Sequence, residues 1–525
     1  MDADVVISGG GPTGLLLAAE LRLAGARVVV LERRTEPDPV PRANGLVGQV
    51  VTVLYRRGLY RTLARHGSGP KALLQRWFTG AYGTRPRPVR GFSHAGFRLD
   101  LRRLRDANPV HVLAVPQRRM EEVFEQHALA LGAEIRRGHT FTGLTQDGDG
   151  VTVEVDGPDG GYRLRAAYLV GCDGSHSAVR KAAGIGFPGE TSREVVIRMA
   201  HVVLPRAALT SSGALRAADG TSYRPYHLHR TPHGAFSFAS FIPGVHVLST
   251  HEWDAPAEQA PMTVDEAQAS LSRVVGADVP VEPPPADGRP WILRRLTDRN
   301  NRLADPYRMG RVFVAGDAAH VFAGFGGSHL NLGLQDAVNL AWKLSLVARG
   351  AAPDTLLDTY AAERVPQARR ALDRTAEQAE LMAPGDEVTA RRERYAQRLR
   401  EPGFLREVAE AVAGLDLPYP TGAGHPMLGR MAPDLRLTHE SRRIRLAALQ
   451  RTARPLLLDL TGDPALAEAA APWRDRVDVI RATPRDPGTP PALLIRPDGY
   501  VAWAAPDPAG LPSALTTWFG PPRTP

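Results

Sequence analysis

The chain contains a glycine-rich turn between a short apolar segment and a helix-forming segment. Val5 to Ile7 have the composition of a buried parallel strand, and Leu15 to Leu23 predict a helix. Between them stand glycines at the spacing of a dinucleotide-binding turn: Gly9, Gly11 and Gly14. Such glycines allow a tight turn and a close approach of the backbone to a pyrophosphate, while the helix N-terminus supplies free N–H groups. This segment therefore predicts a Rossmann-like dinucleotide-binding fold.

A second apolar segment, Val28 to Leu31, predicts the next parallel strand and ends at Glu32. An acidic side chain about 20 residues beyond such a turn is placed to bind a ribose hydroxyl. Strand, turn, helix, strand and acid in this order favour dinucleotide binding over a turn that binds nothing. The pattern suits NAD as well as FAD, so a simple NAD-dependent dehydrogenase is one interpretation.

Two later segments share one pattern, an apolar strand that ends in a small residue and an aspartate. They are Tyr168 to Gly174, which contains Asp173, and Val312 to Asp317. An aspartate at such a strand end accepts hydrogen bonds from the ribityl hydroxyls of a flavin, and glycine lets the backbone approach the cofactor. Together with the first turn, these segments favour FAD over NAD.

With these motifs the chain resembles the group A FAD-dependent aromatic hydroxylases, the p-hydroxybenzoate hydroxylase family, and most closely the actinomycete polyketide and rifampicin monooxygenases. The resemblance covers nearly the whole length. It extends through Pro41-Arg42-Ala43, Pro116-Gln117-Arg118, Gly326-Gly327, and Gln335-Asp336-Ala337 to Leu344. The resemblance implies FAD contacts from Gly9, Gly11, Pro12, Thr13, Gly14, Glu32, Arg33, Arg42, Gln117, Asp173, Gly316, Asp317, Gly327, Leu330 and Asn331.

The segment after Gly326 predicts a helix, because apolar residues recur at helical spacing: Leu334, Ala337, Val338, Ala341 and Leu344. The backbone N–H groups of Leu330 and Asn331 would point from its N-terminus at the flavin pyrimidine edge. Negative charge develops there on reduction, so these donors would assist catalysis.

The sequence departs from the family beside this helix. Ala323-Gly324 replaces the usual Pro-Pro pair, His329 stands where glycine is usual, and Gln49 stands where many relatives have arginine. His329 has two interpretations, a loop histidine with satisfied hydrogen bonds, which we favour, and a candidate catalytic residue that titrates near neutral pH and assists proton transfer.

The predicted fold is α/β, with a Rossmann-like FAD domain, an inserted β-sheet substrate domain and a thioredoxin-like C-terminal domain. The FAD domain is expected to be discontinuous, over 1–180 and 298–395, with part of 73–103 lining the substrate cavity; the substrate domain spans 181–297. Pro402-Gly403 and the prolines and glycines over 418–426 predict a linker. The C-terminal domain, 415–525, lacks cysteine, so it performs no dithiol chemistry.

Strands of the substrate domain are predicted at 195–203, 223–228, 235–242 and 245–251. Aromatic and histidine side chains cluster in this domain and in the cavity segment, where their faces would stack on a flat polycyclic phenol. They are Trp77, Phe78, Tyr82, Phe92, His94, Phe97, Tyr223, Tyr226, His227, Phe236, Phe238 and Phe241.

Composition excludes several other classes. The net charge of +9 comes from arginines scattered among acids rather than from one basic tract, so nucleic-acid binding is rejected. No apolar run is long enough to span a bilayer, and no basic leader with an apolar core precedes the first strand, so we expect a cytoplasmic protein. The single cysteine, Cys172, forms no internal disulfide. No metal is expected, and we expect the chain to be a monomer or homodimer.

The sequence therefore predicts an FAD- and NADPH- or NADH-dependent monooxygenase of the EC 1.14.13 type. With O₂ as co-substrate, it would hydroxylate a polycyclic aromatic, polyketide-type small molecule through a flavin C4a-hydroperoxide. Baeyer–Villiger or ring-cleaving oxygenation on the same fold, and flavin binding without oxygenase activity, are alternatives.

Overall fold

A computed structural model describes residues 1–38, 43–64, 84–255, 260–322, 329–422 and 424–523. Its largest sheet has a parallel centre of strands rich in valine, isoleucine and leucine, which are buried on both faces. From one edge the strands run Arg308–Met309, Val312–Val314, Gly160–Gly171, Ala3–Ser8, Val28–Glu32 and Glu134–Arg137. Thr140–Gln146 and Val151–Gly157 extend it as an antiparallel meander. The predicted Rossmann-like arrangement is confirmed.

Helices pack against this sheet through apolar faces. The first helix, Pro12–Leu23, begins with proline at its first position and lies beside Gln117–Ala130 and His329–Ala348. The predicted apolar stripe of His329–Ala348, from Leu334 to Leu344, is wholly buried. Nearby helices are Gln49–Arg56, Tyr60–Ala64, Ala178–Ala182, Asp354–Leu357 and Asp358–Met382.

The inserted segment forms a five-stranded antiparallel sheet in the order Leu228–Thr231, Gly234–Ile242, Val245–Trp253, Val195–Val202 and Leu293–Leu296. Helix Val264–Val275 covers one face; Thr263 caps its N-terminus and Gly276, in a left-handed conformation, ends it.

One strand prediction in this sheet is wrong. Only Ser222–Tyr223 and Leu228–Thr231 are extended, so the predicted strand over 223–228 is interrupted. Pro225 has no N–H to donate to a ladder, and Tyr226 takes a positive φ of 64°. Those two residues form the turn that leads into the strand.

The predicted linker begins too early. Pro402 occupies the first turn of helix Pro402–Ala413 rather than a linker, since its missing N–H costs nothing at that position. Helix Asp386–Arg398 precedes it and crosses the predicted domain boundary at 395.

The C-terminal part contains a four-stranded sheet in the order Asp478–Arg481, Leu456–Asp459, Ala492–Ile495 and Val501–Ala504. The first two strands are parallel and the others antiparallel. A turn at Arg496 to Gly499 joins the last two, and the Gly499 N–H donates to the Arg496 carbonyl at 2.8 Å. Helices here are Leu446–Leu449, Pro464–Ala470, Ala471–Trp473 and Leu511–Phe519.

Small sheets complete the fold. They pair Arg299–Leu303 with Gly189–Ser192 and His320–Val321, Arg436–His439 with Arg442–Arg445 and Thr483–Pro484, Leu46–Val47 with Val112–Leu113, Gly91–His94 with Phe97–Asp100, and Leu215–Arg216 with Ser222–Tyr223. Short 3-10 helices span Leu101–Ala107, Arg206–Ala208 and Gly316–Ala318. Among the described residues, no helix is both long and apolar enough to cross a membrane.

A buried ion cluster joins the C-terminal sheet to two helices of the first unit. Its members are Lys343, Glu363, Arg496 and Asp498. Arg496 donates to both Glu363 oxygens, and Lys343 Nζ lies 2.7 Å from Glu363 Oε2. All four side chains are almost fully buried, so each charge needs a partner. Glu363 pairs with Lys343 on the neighbouring helix and with Arg496 across the two units, and Asp498 pairs with Arg496 within its own turn.

Candidate functional site

The predicted site segments leave the main sheet at one edge. Ser8 pairs in register with Gly171 on one side and with Leu31 on the other, and Gly171 pairs with Val314. Since these strands are parallel, the residues that follow them emerge together. The glycine turn, Glu32, Asp173 and the turn at Gly316 therefore meet at the carboxyl ends of the strands, where open α/β sheets bind ligands.

Glycines hold these segments in close contact. Gly9 has a φ of 110°, and a Cβ there would collide with the carbonyl of Cys172. A Cβ on Gly316 would lie 2.9 Å from Thr13 Oγ1, and one on Gly333 would lie 2.8 Å from the same atom. The first turn is thus packed against both aspartate segments, and Thr13 lies between the two later glycines.

The turn itself has the shape of an anion cradle. A Cβ on Gly14 would collide with the Gly9 carbonyl, whereas a Cβ on Gly11 would meet no described atom within 4 Å. Pro12 is the first residue of the helix, whose leading N–H groups have no partner within the helix. The residues present therefore fit the pyrophosphate of a dinucleotide such as FAD.

Glu32, the last residue of the second strand, is hydrogen-bonded to this turn. Its Oε2 accepts from the Gly10 N–H at 2.7 Å, and its Oε1 accepts from the Arg34 N–H at 2.9 Å. The adjacent Arg33 side chain is exposed. Each carboxylate oxygen has a further lone pair, so the same group is placed to accept from a ribose hydroxyl. Arg42 and Gly327 lie outside the described residues.

Asp173 has a structural task that the sequence did not reveal. Its carboxylate accepts from Ser177 Oγ at 2.5 Å and from the Ala178 and Val179 N–H groups at 2.8 and 3.1 Å. It therefore supports the N-terminus of helix Ala178–Ala182.

Asp317 differs in this respect. Its side chain is exposed between the buried Gly316 and Ala318. No hydrogen bond or ion pair joins it to another residue of the described ranges. An exposed carboxylate at this sheet edge can accept hydrogen bonds from a ligand.

The helix that begins at His329 places Leu330 and Asn331 in its first turn. Asn331 Oδ1 accepts from the Val47 N–H at 2.8 Å, which ties the helix start to a neighbouring strand. The backbone N–H groups of this turn lack helical partners. Gln117 also begins a helix; its N–H donates to the Ala43 carbonyl and its side-chain amide donates to Glu121.

His329 is held as a neutral acceptor. Its Nε2 accepts from the Phe322 N–H at 2.9 Å, and its ring stacks on Phe322 with centroids 4.9 Å apart. Phe322 stacks in turn on His320. Burial lowers the pKa of His329 below its ordinary value of 6.5, and Asp317 only partly opposes this. These contacts favour the interpretation of His329 as a histidine with a satisfied hydrogen bond, although it begins a helix rather than lying in a loop.

We expect the His329→Gln variant to keep the pH dependence of the parent enzyme. Because a lowered pKa leaves His329 neutral at and above its ordinary value of 6.5, no proton is gained or lost there in the neutral range. Rapid-reaction measurement of flavin reduction and of turnover between about pH 6.5 and 8.5 tests this, taking the His pKa as reference. If the pH profile of the parent enzyme had an inflection that the His329→Gln variant lacked, His329 would have a catalytic role.

Asp336 lies beside these segments. It was singled out in the sequence only as part of the segment Gln335-Asp336-Ala337 that resembles the family. The carboxylate is fully buried and accepts from the Gly316 N–H at 3.1 Å, from His320 Nε2 at 2.7 Å and from Arg364 Nε at 2.8 Å. Burial by itself raises its pKa, but His320 and Arg364 outweigh burial and lower it. Asp336 lies opposite the predicted stripe and one helical turn from both Leu332 and Leu340, and an acid between two leucines on one helix face is the signal that would have found it.

The aromatic cluster of the inserted sheet divides between its two faces. Phe236 and Phe238 are buried against helix Val264–Val275 and serve as core. Ala235, on the other face, contacts Met382 of helix Asp358–Met382. Tyr226 and Phe241 are only partly buried and meet edge to face at 5.9 Å. The predicted Trp77, Phe78 and Tyr82 lie outside the described residues.

Phe92, Phe97 and His94 lie in a different core. Phe97 stacks on Tyr395 at 5.0 Å, and Phe92 packs in the same apolar cluster as helix Pro402–Ala413. Burial lowers the pKa of His94 to about 4, with Arg374 contributing. No group of three or more His, Cys, Asp or Glu side chains in the described ranges is arranged to hold a metal ion.

The chain matches two known families. The family described as FAD binding domain matches residues 2–375, and the one described as aromatic-ring hydroxylase, C-terminal, matches residues 425–522. The solved structure of the OxyS anhydrotetracycline hydroxylase from Streptomyces rimosus superposes with a TM-score of 0.84 at 40% identity, over 100% of both chains.

Full-length relatives are similar in sequence. A 12-dehydrotetracycline 5-monooxygenase/anhydrotetracycline 6-monooxygenase of Streptomyces rimosus is 43% identical over 99% of this chain and 100% of its own. A rifampicin monooxygenase of Streptomyces venezuelae is 40% identical over 98% of both. A dialkyldecalin synthase of Streptomyces rugosporus is 34% identical over 99% of this chain and 100% of its own.

Proposed function

Because the chain belongs to the FAD-dependent aromatic-ring hydroxylases and is a flavoprotein monooxygenase, we propose that it hydroxylates a polycyclic aromatic compound of polyketide type. The observation that carries this proposal is the convergence of the glycine turn and both aspartate segments at one sheet edge, in a chain whose relatives oxidise tetracycline and rifampicin compounds.

The proposed cofactor contacts follow from this convergence. The turn from Gly9 to Gly14 would hold the pyrophosphate, Glu32 a ribose hydroxyl, and Asp317 the ribityl chain. The N–H groups of Leu330 and Asn331 would donate to the pyrimidine edge of the flavin and stabilise negative charge there. When bound, FAD supplies the redox chemistry, accepting a hydride from NADPH or NADH and activating O₂ for transfer of one oxygen atom.

We place the substrate under the face of the inserted sheet that carries Ala235. Ser237 and Ala239 add small side chains to this face, in register with Ser249 and Val247, and the partly buried rings of Tyr226 and Phe241 lie near the end of the same strand. A flat polycyclic ring would pack on such a surface, which would exclude water from the oxygen-transfer step.

The same proposal includes three domains: an FAD domain over 1–180 and 298–395, a substrate domain over 181–297 and a C-terminal domain over 415–525. The strand order and directions of the C-terminal sheet, with a helix after its first strand and another after its last, support a thioredoxin-like arrangement. Since the only cysteine is Cys172, this unit would act through contacts rather than through a dithiol.

Oxygen labelling tests the proposed reaction. Flavin-loaded protein is incubated with NADPH or NADH, ¹⁸O₂ and a panel of aromatic polyketides, and products are analysed by mass and NMR. We expect an accepted substrate to accelerate NAD(P)H oxidation and to gain one ¹⁸O atom as a hydroxyl. A lactone or an opened ring would instead identify Baeyer–Villiger or ring-cleaving oxygenation.

A second candidate is a transformation without oxygen transfer, which the similarity to a dialkyldecalin synthase supports. In that case a polyketide would be converted to a product of unchanged mass, with no consumption of NAD(P)H. The same incubation distinguishes the two, because only oxygenation depends on both the reductant and O₂.

A further inference from the structure

We propose that Asp336 and Arg364 are positioning residues, through which Tyr419 of the C-terminal unit sets the orientation of the turn that carries Asp317. This inference rests on the proposed contact between Asp317 and FAD. It assigns to the C-terminal unit a part in cofactor binding.

The turn at Gly316 to Ala319 is held at both ends by hydrogen bonds. Asp336 accepts the Gly316 N–H at 3.1 Å, while Arg180 Nη1 donates to the Ala318 carbonyl at 2.9 Å. Gly316 has a φ of 63°, which fixes the direction in which the chain leaves the strand. The exposed carboxylate of Asp317 therefore points where these bonds direct it.

Asp336 is itself fixed by Arg364. The guanidinium Nε donates to Asp336 Oδ1 at 2.8 Å and Nη2 donates to the Leu332 carbonyl at 3.3 Å. Both charged side chains are buried, and relative exposure is 0% for Arg364 and 1% for Asp336. In such surroundings a small displacement of one group weakens a charge-assisted bond that water cannot replace, so the pair transmits position.

The third donor of Arg364 reaches the C-terminal unit. Its Nη1 donates to Tyr419 Oη at 3.0 Å, and the Tyr419 ring stacks on Tyr500 with centroids 4.0 Å apart. Tyr500 Oη donates to Gln49 Oε1 at 2.7 Å. A continuous path of buried hydrogen bonds thus runs from Tyr419 through Arg364 and Asp336 to Gly316.

The central test is Tyr419→Phe, which removes one hydroxyl and keeps the stacked ring. We expect the dissociation constant of FAD, measured by titration of the apoprotein, to rise about fivefold or more, since Arg364 loses a charge-assisted bond. The visible spectrum of the bound flavin should shift as well. In an Asp317→Asn background, Tyr419→Phe should cause no further rise in the FAD dissociation constant, because the effects of coupled residues are not additive.

Gln367→Met is the matched control. Gln367 lies one turn beyond Arg364 and donates to the Leu417 carbonyl at 2.7 Å, so it joins the same helix to the same segment. The donors to Asp336 among the described residues are Gly316, His320 and Arg364. We expect it to lower stability and leave the FAD dissociation constant unchanged. Any of three results would overturn the proposal. Tyr419→Phe could keep the parental FAD affinity, Gln367→Met could weaken FAD binding equally, or the effects of Tyr419→Phe and Asp317→Asn on FAD binding could add. If Asp317→Asn itself leaves FAD binding unchanged, the proposed FAD contact fails too.

Discussion

Replacing Asp317 with alanine is expected to give folded protein that does not retain stoichiometric FAD on purification. Asp317 is the exposed carboxylate of the second aspartate turn and makes no hydrogen bond or ion pair with the described residues, so its removal costs the fold little. Each charge-assisted hydrogen bond lost to the ribityl chain weakens binding by about 10- to 100-fold. Flavin absorbance per mole of protein, before and after gel filtration, measures the loss.

The matched control is Asp159→Ala, which removes an exposed carboxylate from the hairpin turn between Val151–Gly157 and Gly160–Gly171. This variant should keep its flavin. Thermal unfolding of the apoproteins shows whether both variants are folded. An Asp317→Ala protein that keeps bound flavin and full turnover would refute the cofactor assignment of this turn.

The second large effect is expected on stability. Glu363→Gln should lower the free energy of unfolding by about 3–5 kcal/mol, because it leaves buried cations without a compensating charge. Glu363 accepts from Lys343, from Arg496 and from Asn339 Nδ2 at 2.6 Å, and is 2% exposed. Urea unfolding of the two proteins, followed by fluorescence and circular dichroism, measures the difference. Glu377→Gln, at an exposed position of the same helix, should change stability little.

The same contact predicts a pH dependence. Burial raises the pKa of Glu363 and the charges of Arg496 and Lys343 lower it more strongly, so that it falls from 4.5 to about 2. A carboxyl with a depressed pKa contributes stability that is fully present above its unfolded pKa and is lost as the pH falls towards the folded one. The stability that the parent owes to the ionised Glu363 should therefore be lost as the pH falls from about 4.5 towards 2, so the difference between parent and Glu363→Gln should shrink in this acidic range. A difference that grows as the pH falls below about 4.5 would contradict this assignment.

Local patterns in the sequence were sufficient to predict the glycine turn at the edge of the main sheet. The spacing of the glycines at 9, 11 and 14 is a local pattern, and the close contact of Gly14 with the Gly9 carbonyl is local too, whereas the contact of Gly9 with Cys172 is distant in sequence. The strands around the turn follow from apolar runs. The strand predicted over 223–228 fails for a local reason too, since Pro225 and the positive φ of Tyr226 outweigh the β-forming side chains around them. Pro402 was misread because proline favours both loops and helix starts.

Roles that depend on distant partners were beyond sequence reasoning. Asp173 was expected to contact FAD, and the structure adds its bonds to Ala178 and Val179, which depend on the course of the chain after the strand. Asp336 meets His320 and Arg364 only once two helices have packed. The pairing of Arg496 with Glu363 spans 133 residues, and nothing near either residue signals it.

The buried ion cluster has a consequence for recombination between relatives. A crossover placed between Glu363 and Arg496 would unite halves from different parents. If one parent lacked the complementary charge, the chimera would contain an unpaired ion in the buried contact between the units. Exchange of the C-terminal unit is therefore tolerated only as a matched set with Lys343 and Glu363. Chimeras that graft this unit onto another hydroxylase should be designed by transferring all four charges together.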